Sequence, residues 1–219
     1  MTMPDNAPDR RRSHPSSQRN REPIGRVLQT HLPANSRVLE IAAGTGEQAV
    51  YLSRLLAADY WLPTDANPTT IESIDAWRET DGPASLQRAL LLDASDPVET
   101  ARERLLDAGA LPPAFDALLC INMIHISPWT TTQGLMRLAG ALLRDEGLLY
   151  LYGPYKRDGR HTAPSNAEFD ADLQSRNPEW GIRNLDDVCA QAKQHTLALH
   201  DVVDMPANNL SVIFRKMRA

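Results

Sequence analysis

Cysteine is nearly missing from this chain: two residues, Cys120 and Cys189, in 219. Neither has a Cys or His partner at metal-ligand spacing, so the pattern is that of buried, reduced thiols, with no metal site and no disulfide framework. Aromatics are scarce too, with four Trp, five Tyr and three Phe; no interface stripe stands out, and the oligomeric state stays open. No apolar run approaches the roughly 18 residues needed to span a bilayer, and none follows the N-terminal arginines as a secretory signal requires. The reading is a cytoplasmic chain with no membrane partner. Positive charge is not in excess either: 23 Lys and Arg against 28 Asp and Glu give a net charge of −5. Phosphate backbones therefore meet no general attraction, which argues against a nucleic-acid partner.

What basic charge there is lies at one end. Arg10, Arg11, Arg12, Arg19, Arg21 and Arg26 crowd the first 26 residues, together with four Pro and three Ser, and apolar periodicity begins only at Ile24. Residues 1–15 read as a disordered basic tail. The remainder, 16–219, has the length of one α/β domain with a sizeable core. After the tail, Pro23 to His31 reads as a short helix with Pro in its first turn. Strands are expected at 37–41, 59–62, 88–92, 115–121 and 147–152. Helices are expected at 46–57, 67–80, 96–108, 130–143, 166–176 and 184–195. This alternation implies βαβ crossovers and a parallel sheet covered on both faces. Residues 196–205 and 210–217 are two further strand-like runs, separated only by Pro206-Ala207-Asn208-Asn209, and so form an antiparallel hairpin.

The first strand, Arg37-Val38-Leu39-Glu40-Ile41, ends in Ala42-Ala43-Gly44-Thr45-Gly46 and runs into a helix. Gly44 and Gly46 let the backbone take positive φ and let a ligand approach the main chain. The free N–H groups of the following helix favour an anionic group at the same place. With Ala49, the two glycines also satisfy the spacing of dinucleotide-binding turns, so the turn alone does not name the cofactor. Carboxylates separate the readings. Glu40 lies on the strand itself, where its charge suits an ammonium or sulfonium. Asp65 closes the second strand, placed to accept ribose hydroxyls, and Asp93 follows the third. Three acidic residues at successive strand ends would repel the diphosphate of NAD; they suit S-adenosylmethionine.

Open α/β sheets bind ligands beyond the carboxyl ends of their strands. Past the fourth strand comes Asn122-Met123-Ile124-His125-Ile126-Ser127. His125, with an unperturbed pKa near 6.5, has the chemistry of a general base, although a lone histidine in an apolar loop serves equally well as a packing residue. Past the fifth strand, 153–166 is a long polar stretch carrying Tyr155 and His161: either a lid over the site or a solvated surface loop. Ser165 is a candidate N-cap for the next helix.

These features resemble the seven-stranded class I methyltransferase fold, Rossmann-like and mostly parallel, finished by an antiparallel hairpin. More narrowly, the chain resembles the methyltransferase-like 26 family, which has that fold. The resemblance is carried by Gln18-Arg19-Asn20-Arg21-Glu22-Pro23-Ile24, the glycine turn, Cys120-Ile121-Asn122-Met123-Ile124-His125, Tyr152-Gly153-Pro154-Tyr155, Ser165-Asn166 with Phe169-Asp170, Asn177-Pro178-Glu179-Trp180-Gly181 and Met205-Pro206-Ala207-Asn208-Asn209. It implies S-adenosylmethionine as cofactor, with the Arg19–Pro23 block and the Met205–Asn209 turn helping to enclose the site. The chain departs from the family pattern at Gln18, where Glu is common, and at Glu47-Gln48, where Gln-His is frequent. Glu47 opposes the cofactor carboxylate unless it faces solvent; Arg19 or Arg21 would offset it.

The combined expectation is a methyltransferase acting on a small molecule with an O, N or S nucleophile. Arg19, Glu40, Ala42, Gly44, Gly46, Asp65, Asp93 and Asn122 are the cofactor candidates. His125 and Tyr155 are the catalytic candidates, and Asn20, His161, Asn166 and Asn208 are on the acceptor side. Methyl transfer needs the reactants held close, aligned and dry more than it needs a nucleophilic side chain. Two competing readings are a non-catalytic cofactor-binding partner subunit and an NAD-dependent oxidoreductase.

Overall fold

The computed structural model describes residues 9–110 and 114–218. Nine strands and seven helices are found among them: α1 Pro15–His31, β1 Arg37–Ile41, α2 Glu47–Leu55, β2 Tyr60–Asp65, α3 Pro68–Asp81, β3 Leu90–Leu91, α4 Val98–Asp107, β4 Phe115–Ile121, α5 Trp129–Leu142, β5 Leu143–Gly153, β6 Lys156–Arg157, β7 Arg160–His161, α6 Pro164–Arg176, α7 Leu185–Lys193, β8 Leu197–Met205 and β9 Asn209–Lys216. Seven strands form one sheet in the order β3-β2-β1-β4-β5-β9-β8. The first five are parallel; β9 runs antiparallel to β5, and β8 antiparallel to β9. This is the Rossmann-like class I methyltransferase fold expected from the sequence.

Period-two alternation puts neighbouring residues of each strand on opposite faces, and here both faces are covered. Leu39, Leu118 and Leu149 pack into one core layer, while Val38, Leu119 and Tyr150 pack into the other. Burial on both sides is why these strands read as continuous apolar runs. The β5–β9 register, Tyr150 opposite Ile213, is pinned by a buried hydrogen bond between the Tyr150 hydroxyl and Ser211 Oγ, 2.6 Å long. Cys120 and Cys189 are free thiols, the first buried and the second half-buried. Burial pushes Cys120 up to about 12, so it stays protonated.

The N-terminal region departs from the expectation. Helix α1 starts at Pro15, not Pro23: His14 Nδ1 caps it by accepting the Ser16 N–H, and Pro15 takes the first position, where its missing donor costs nothing. Pro23 lies inside the helix. Burial of Ile24 and Leu28 offsets the hydrogen bond that Pro23 removes. Residues 9–14, read above as part of a disordered tail, run along α3. The Arg12 N–H donates to Ser73 Oγ (2.9 Å), the Trp77 indole donates to the Arg12 carbonyl (2.7 Å), and Arg11 stacks over Trp77 while pairing with Asp81. Residues 1–8 of that tail lie outside the described residues.

The long polar stretch after β5 is folded rather than an open loop. Lys156–Arg157 and Arg160–His161 form a small hairpin around Asp158-Gly159, both at positive φ, as a tight hairpin turn requires. The Lys156 N–H donates to the Arg183 carbonyl, which ties the hairpin to the segment before α7. Nor is Ser165 the cap of α6; Ala163 holds that position, with Pro164 first in the helix. Among the described residues no helix is long and apolar enough to cross a membrane.

Candidate active site

A cavity of about 1190 Å³ opens beyond the carboxyl ends of β1, β2 and β4, walled on its outer side by α1, α6 and the β8–β9 turn. Its floor is the turn after β1. The backbone reverses there through Ala42 (φ 57°), Gly44 (φ 62°) and Gly46 (φ 88°), and Gly46 caps α2. The two glycines differ. A Cβ on Gly44 would meet nothing within 4 Å, whereas one on Gly46 would lie 2.6 Å from the backbone Cα of Ile74. Gly44 therefore faces the cavity, and Gly46 faces α3 and does not line it.

Three carboxylates stand along the inner wall. Asp65 is fixed by two main-chain donors: the Gly44 N–H at 3.1 Å and the Asn67 N–H at 3.0 Å. Asp93 accepts the N–H and hydroxyl of Ser95 at 2.8 and 2.7 Å. Glu40 is 2% exposed and accepts the Trp61 indole N–H at 2.7 Å. Burial raises its pKa to about 7, against the Trp61 hydrogen bond, and the neighbouring Asp65 charge adds to the rise. Among the described residues no Lys or Arg pairs with this carboxylate, and a cation arriving with a ligand would stabilise it.

Gln48, in the first turn of α2, also lines the cavity. It is buried, and its Nε2, itself shielded from solvent, has no hydrogen-bond partner among the described residues. Glu47 faces neither the cavity nor solvent. It is buried and paired with Arg21 at 3.6 Å, and Arg21 in turn stacks on Tyr51. Its charge is thereby answered within the protein.

Of the residues singled out from sequence, Arg19, Asn20, Glu40, Ala42, Gly44, Asp65, Asp93, Asn122, Asn166 and Asn208 all line the cavity. Asn166 and Asn208 meet there, since the Asn166 amide donates to the Asn208 carbonyl at 3.0 Å. Gly46, His125, Tyr155 and His161 do not line it. His125 is 1% exposed; its Nδ1 accepts the Arg183 N–H at 3.3 Å, and its ring meets Tyr155 edge-on at 5.0 Å. Burial lowers its pKa to about 3, and the Arg183 charge pushes the same way. It is a neutral packing imidazole in this arrangement, not a base facing a ligand. Tyr155 is fully buried, and burial raises its hydroxyl well above the usual range. His161 is drawn away to Asp170, at 3.3 Å. Burial works against the Asp170 charge, but Lys156 at 2.8 Å and the Ile182 N–H keep its pKa below the usual carboxylate value. The imidazole that does reach the cavity is His14, at the start of α1.

Gly153 holds the His125 packing together: a Cβ there would lie 2.5 Å from His125 Nε2. Gly153→Ala is expected to cost about 1–3 kcal/mol through overpacking, read from urea unfolding, with little change in ligand binding. The site candidates drawn from the sequence left out Gln48, Phe169, Leu173, Arg176 and Trp180, all of which line the cavity, although Phe169 and Trp180 stand in the blocks that carry the family resemblance. The signal for three of them was available: Phe169, Leu173 and Arg176 stand four and three residues apart, one face of a helix.

The strand order, the glycine turn at the β1–α2 junction and the cavity at the strand ends define a class I methyltransferase fold. The chain belongs to the family described as "Protein of unknown function (DUF938)", whose match spans residues 11–216. Solved structures show the same fold. An O-methyltransferase family protein from Burkholderia thailandensis superposes with a TM-score of 0.73 at 15% identity, over 92% of this chain and 57% of its own. Human N-acetylserotonin methyltransferase in complex with SAM gives 0.70 at 11% identity, over 93% and 55%. The N-methyltransferase NodS from Bradyrhizobium japonicum WM9 gives 0.63 at 15% identity, over 93% and 98%. The chain thus spans little more than half the length of the first two.

Proposed function

We propose that the chain is an S-adenosylmethionine-dependent methyltransferase acting on a small molecule through an O, N or S nucleophile. The observation that carries this reading is the inner wall of the cavity: Glu40, Asp65 and Asp93 at three successive strand ends, beside a glycine turn whose open side faces the same space. Asp65, its carboxylate already oriented by main-chain donors, would accept ribose hydroxyls. Asp93 would stand on the adenine side. Gln48 Nε2 and the start of α2 would hold the methionine carboxylate, and Glu40 would answer the positive end. At about 1190 Å³ the cavity exceeds the roughly 300–1,000 Å³ of ordinary ligand pockets, which leaves room for an acceptor beside the cofactor. The bound cofactor supplies an electrophilic methyl group on a sulfonium. The chain's contribution is to position the acceptor against the outer wall and exclude water, with α1, α6 and the β8–β9 turn closing over it.

Thermal unfolding with S-adenosylmethionine, S-adenosylhomocysteine or NAD tests the cofactor. Stabilisation by the first two alone is expected, about 2.7 kcal/mol at a hundredfold excess over the dissociation constant; stabilisation by NAD alone overturns the reading. Asp65→Asn keeps the shape but weakens the acceptor of both ribose hydroxyls. It is expected to lower S-adenosylhomocysteine affinity about tenfold or more, measured by calorimetry.

A further inference from the structure

The two halves of the cavity differ in charge. All three lining carboxylates, Glu40, Asp65 and Asp93, belong to the inner half at the strand ends. The outer wall, formed by α1, α6, Trp180 and the β8–β9 turn, lines the cavity without a carboxylate and presents two cations, Arg19 from α1 and Arg176 from α6. Phe169, Leu173 and Arg176 lie on one face of α6 and all reach the cavity. Phe169 is 41% exposed, although it lies on a ligand-sized cavity wall, and Trp180 is half-buried beside it. The Arg176 guanidinium sits over the Trp180 ring, 5.2 Å from its centroid, and its carboxylate neighbour Asp172 is a loose 3.7 Å away across two exposed side chains.

This wall has an apolar, aromatic interior and a cation at its exposed rim. From it we propose that the acceptor is a flat, ring-bearing small-molecule acid: its ring lies against Phe169, Leu173 and Trp180, and its carboxylate pairs with Arg176. The physical fit is specific. The apolar body gains by leaving water, while the anion stays at the rim, where it keeps part of its hydration and gains a planar, bidentate donor. Stacking on Trp180 holds the guanidinium in place for that pairing. A cationic acceptor would meet Arg176 with like charge and would find the cavity's lining carboxylates only on the inner half, behind the cofactor position.

The proposal rests on the cofactor reading above, and calorimetry on the full chain saturated with S-adenosylhomocysteine separates the two. The probes are 4-hydroxybenzoate, its neutral amide 4-hydroxybenzamide, and the cation tyramine. The acid is expected to bind about tenfold more tightly than the amide and the cation most weakly. Arg176→Gln brings the acid down to the level of the amide. Phe169→Ala weakens acid and amide alike. Equal binding of acid and amide, a preference for tyramine, an acid preference that survives Arg176→Gln, or no binding of any probe at millimolar concentration each overturns the proposal. Failure of S-adenosylhomocysteine to bind in the first step instead brings down the cofactor reading.

Discussion

Glu40→Gln and His125→Asn change the pH dependence of stability in opposite directions, each by about 3 kcal/mol between pH 4.5 and 6.5. Glu40 has a folded-state pKa of about 7 against an ordinary 4.5. Between those values the folded chain holds a proton that the unfolded chain has lost, so this group's contribution falls as pH rises from 4.5 to 7. His125 has a folded-state pKa of about 3 against an ordinary 6.5. Between those values the unfolded chain holds the extra proton, so its contribution rises with pH over 3 to 6.5 and is fully present above that window. At 1.4 kcal/mol per pH unit for each group, the two slopes cancel across their shared interval. Urea unfolding at a series of pH values reads the difference between each variant and the wild type. Without Glu40 the chain loses about 3 kcal/mol relative to wild type on going from pH 6.5 to 4.5; without His125 it gains as much. Parallel curves for wild type and both variants would show that neither group is held as the geometry implies. Gln keeps an acceptor for Trp61 and Asn keeps one for the Arg183 N–H, so the loss of a hydrogen bond does not confuse the result. Under the proposed function, a cation near Glu40 also lowers its pKa, and cofactor binding near pH 6 releases a proton in wild type but not in Glu40→Gln.

Gly46→Ala and Gly44→Ala separate folding from binding within one turn. At Gly46 a methyl group combines positive φ with a 2.6 Å approach to the backbone of Ile74. Left-handed strain of about 1–2 kcal/mol and overpacking of about 1–3 kcal/mol together predict a loss of about 3–4 kcal/mol, or roughly 10 °C in Tm. At Gly44 only the strain applies, since the methyl points into open space. Stability there drops by about 1–2 kcal/mol, while under the proposed function S-adenosylhomocysteine affinity falls about tenfold or more because the methyl would occupy the ligand's approach. Thermal unfolding and calorimetry on both variants check this. Equal effects of the two on stability would mean that the turn is not built as described.

The sheet was legible because strands buried on both faces are continuous apolar runs bounded by turns, and the inner wall because strand ends are where open sheets bind. Other features were hidden for physical reasons. Residues 15–22 of α1 are polar because they face solvent and the cavity, so apolar periodicity starts only at Ile24, and Pro23 mimics a helix start. His125 follows a strand end in sequence, but the turn at Met123–His125 directs its ring down onto Tyr155; spacing carries no side-chain direction within such a turn. The Asp158-Gly159 hairpin signal lay within a stretch whose polarity suggested a loop. The α6 stripe was masked because a wall for a ligand mixes Phe169 with Arg176, a pattern that periodicity built on apolar residues alone does not register.

β9 occupies the slot between β5 and β8, and this has a consequence for biosynthesis. While the chain emerges, β5 is complete well before its partner exists, and its edge exposes unpaired N–H and C=O groups next to apolar side chains, the arrangement most prone to pairing with another chain. The half-made sheet is therefore the stage of synthesis at which association with another chain is most favoured. Because Asn208 reaches the cavity wall only when the hairpin docks, the outer wall of the cavity is the last part of the site to be completed.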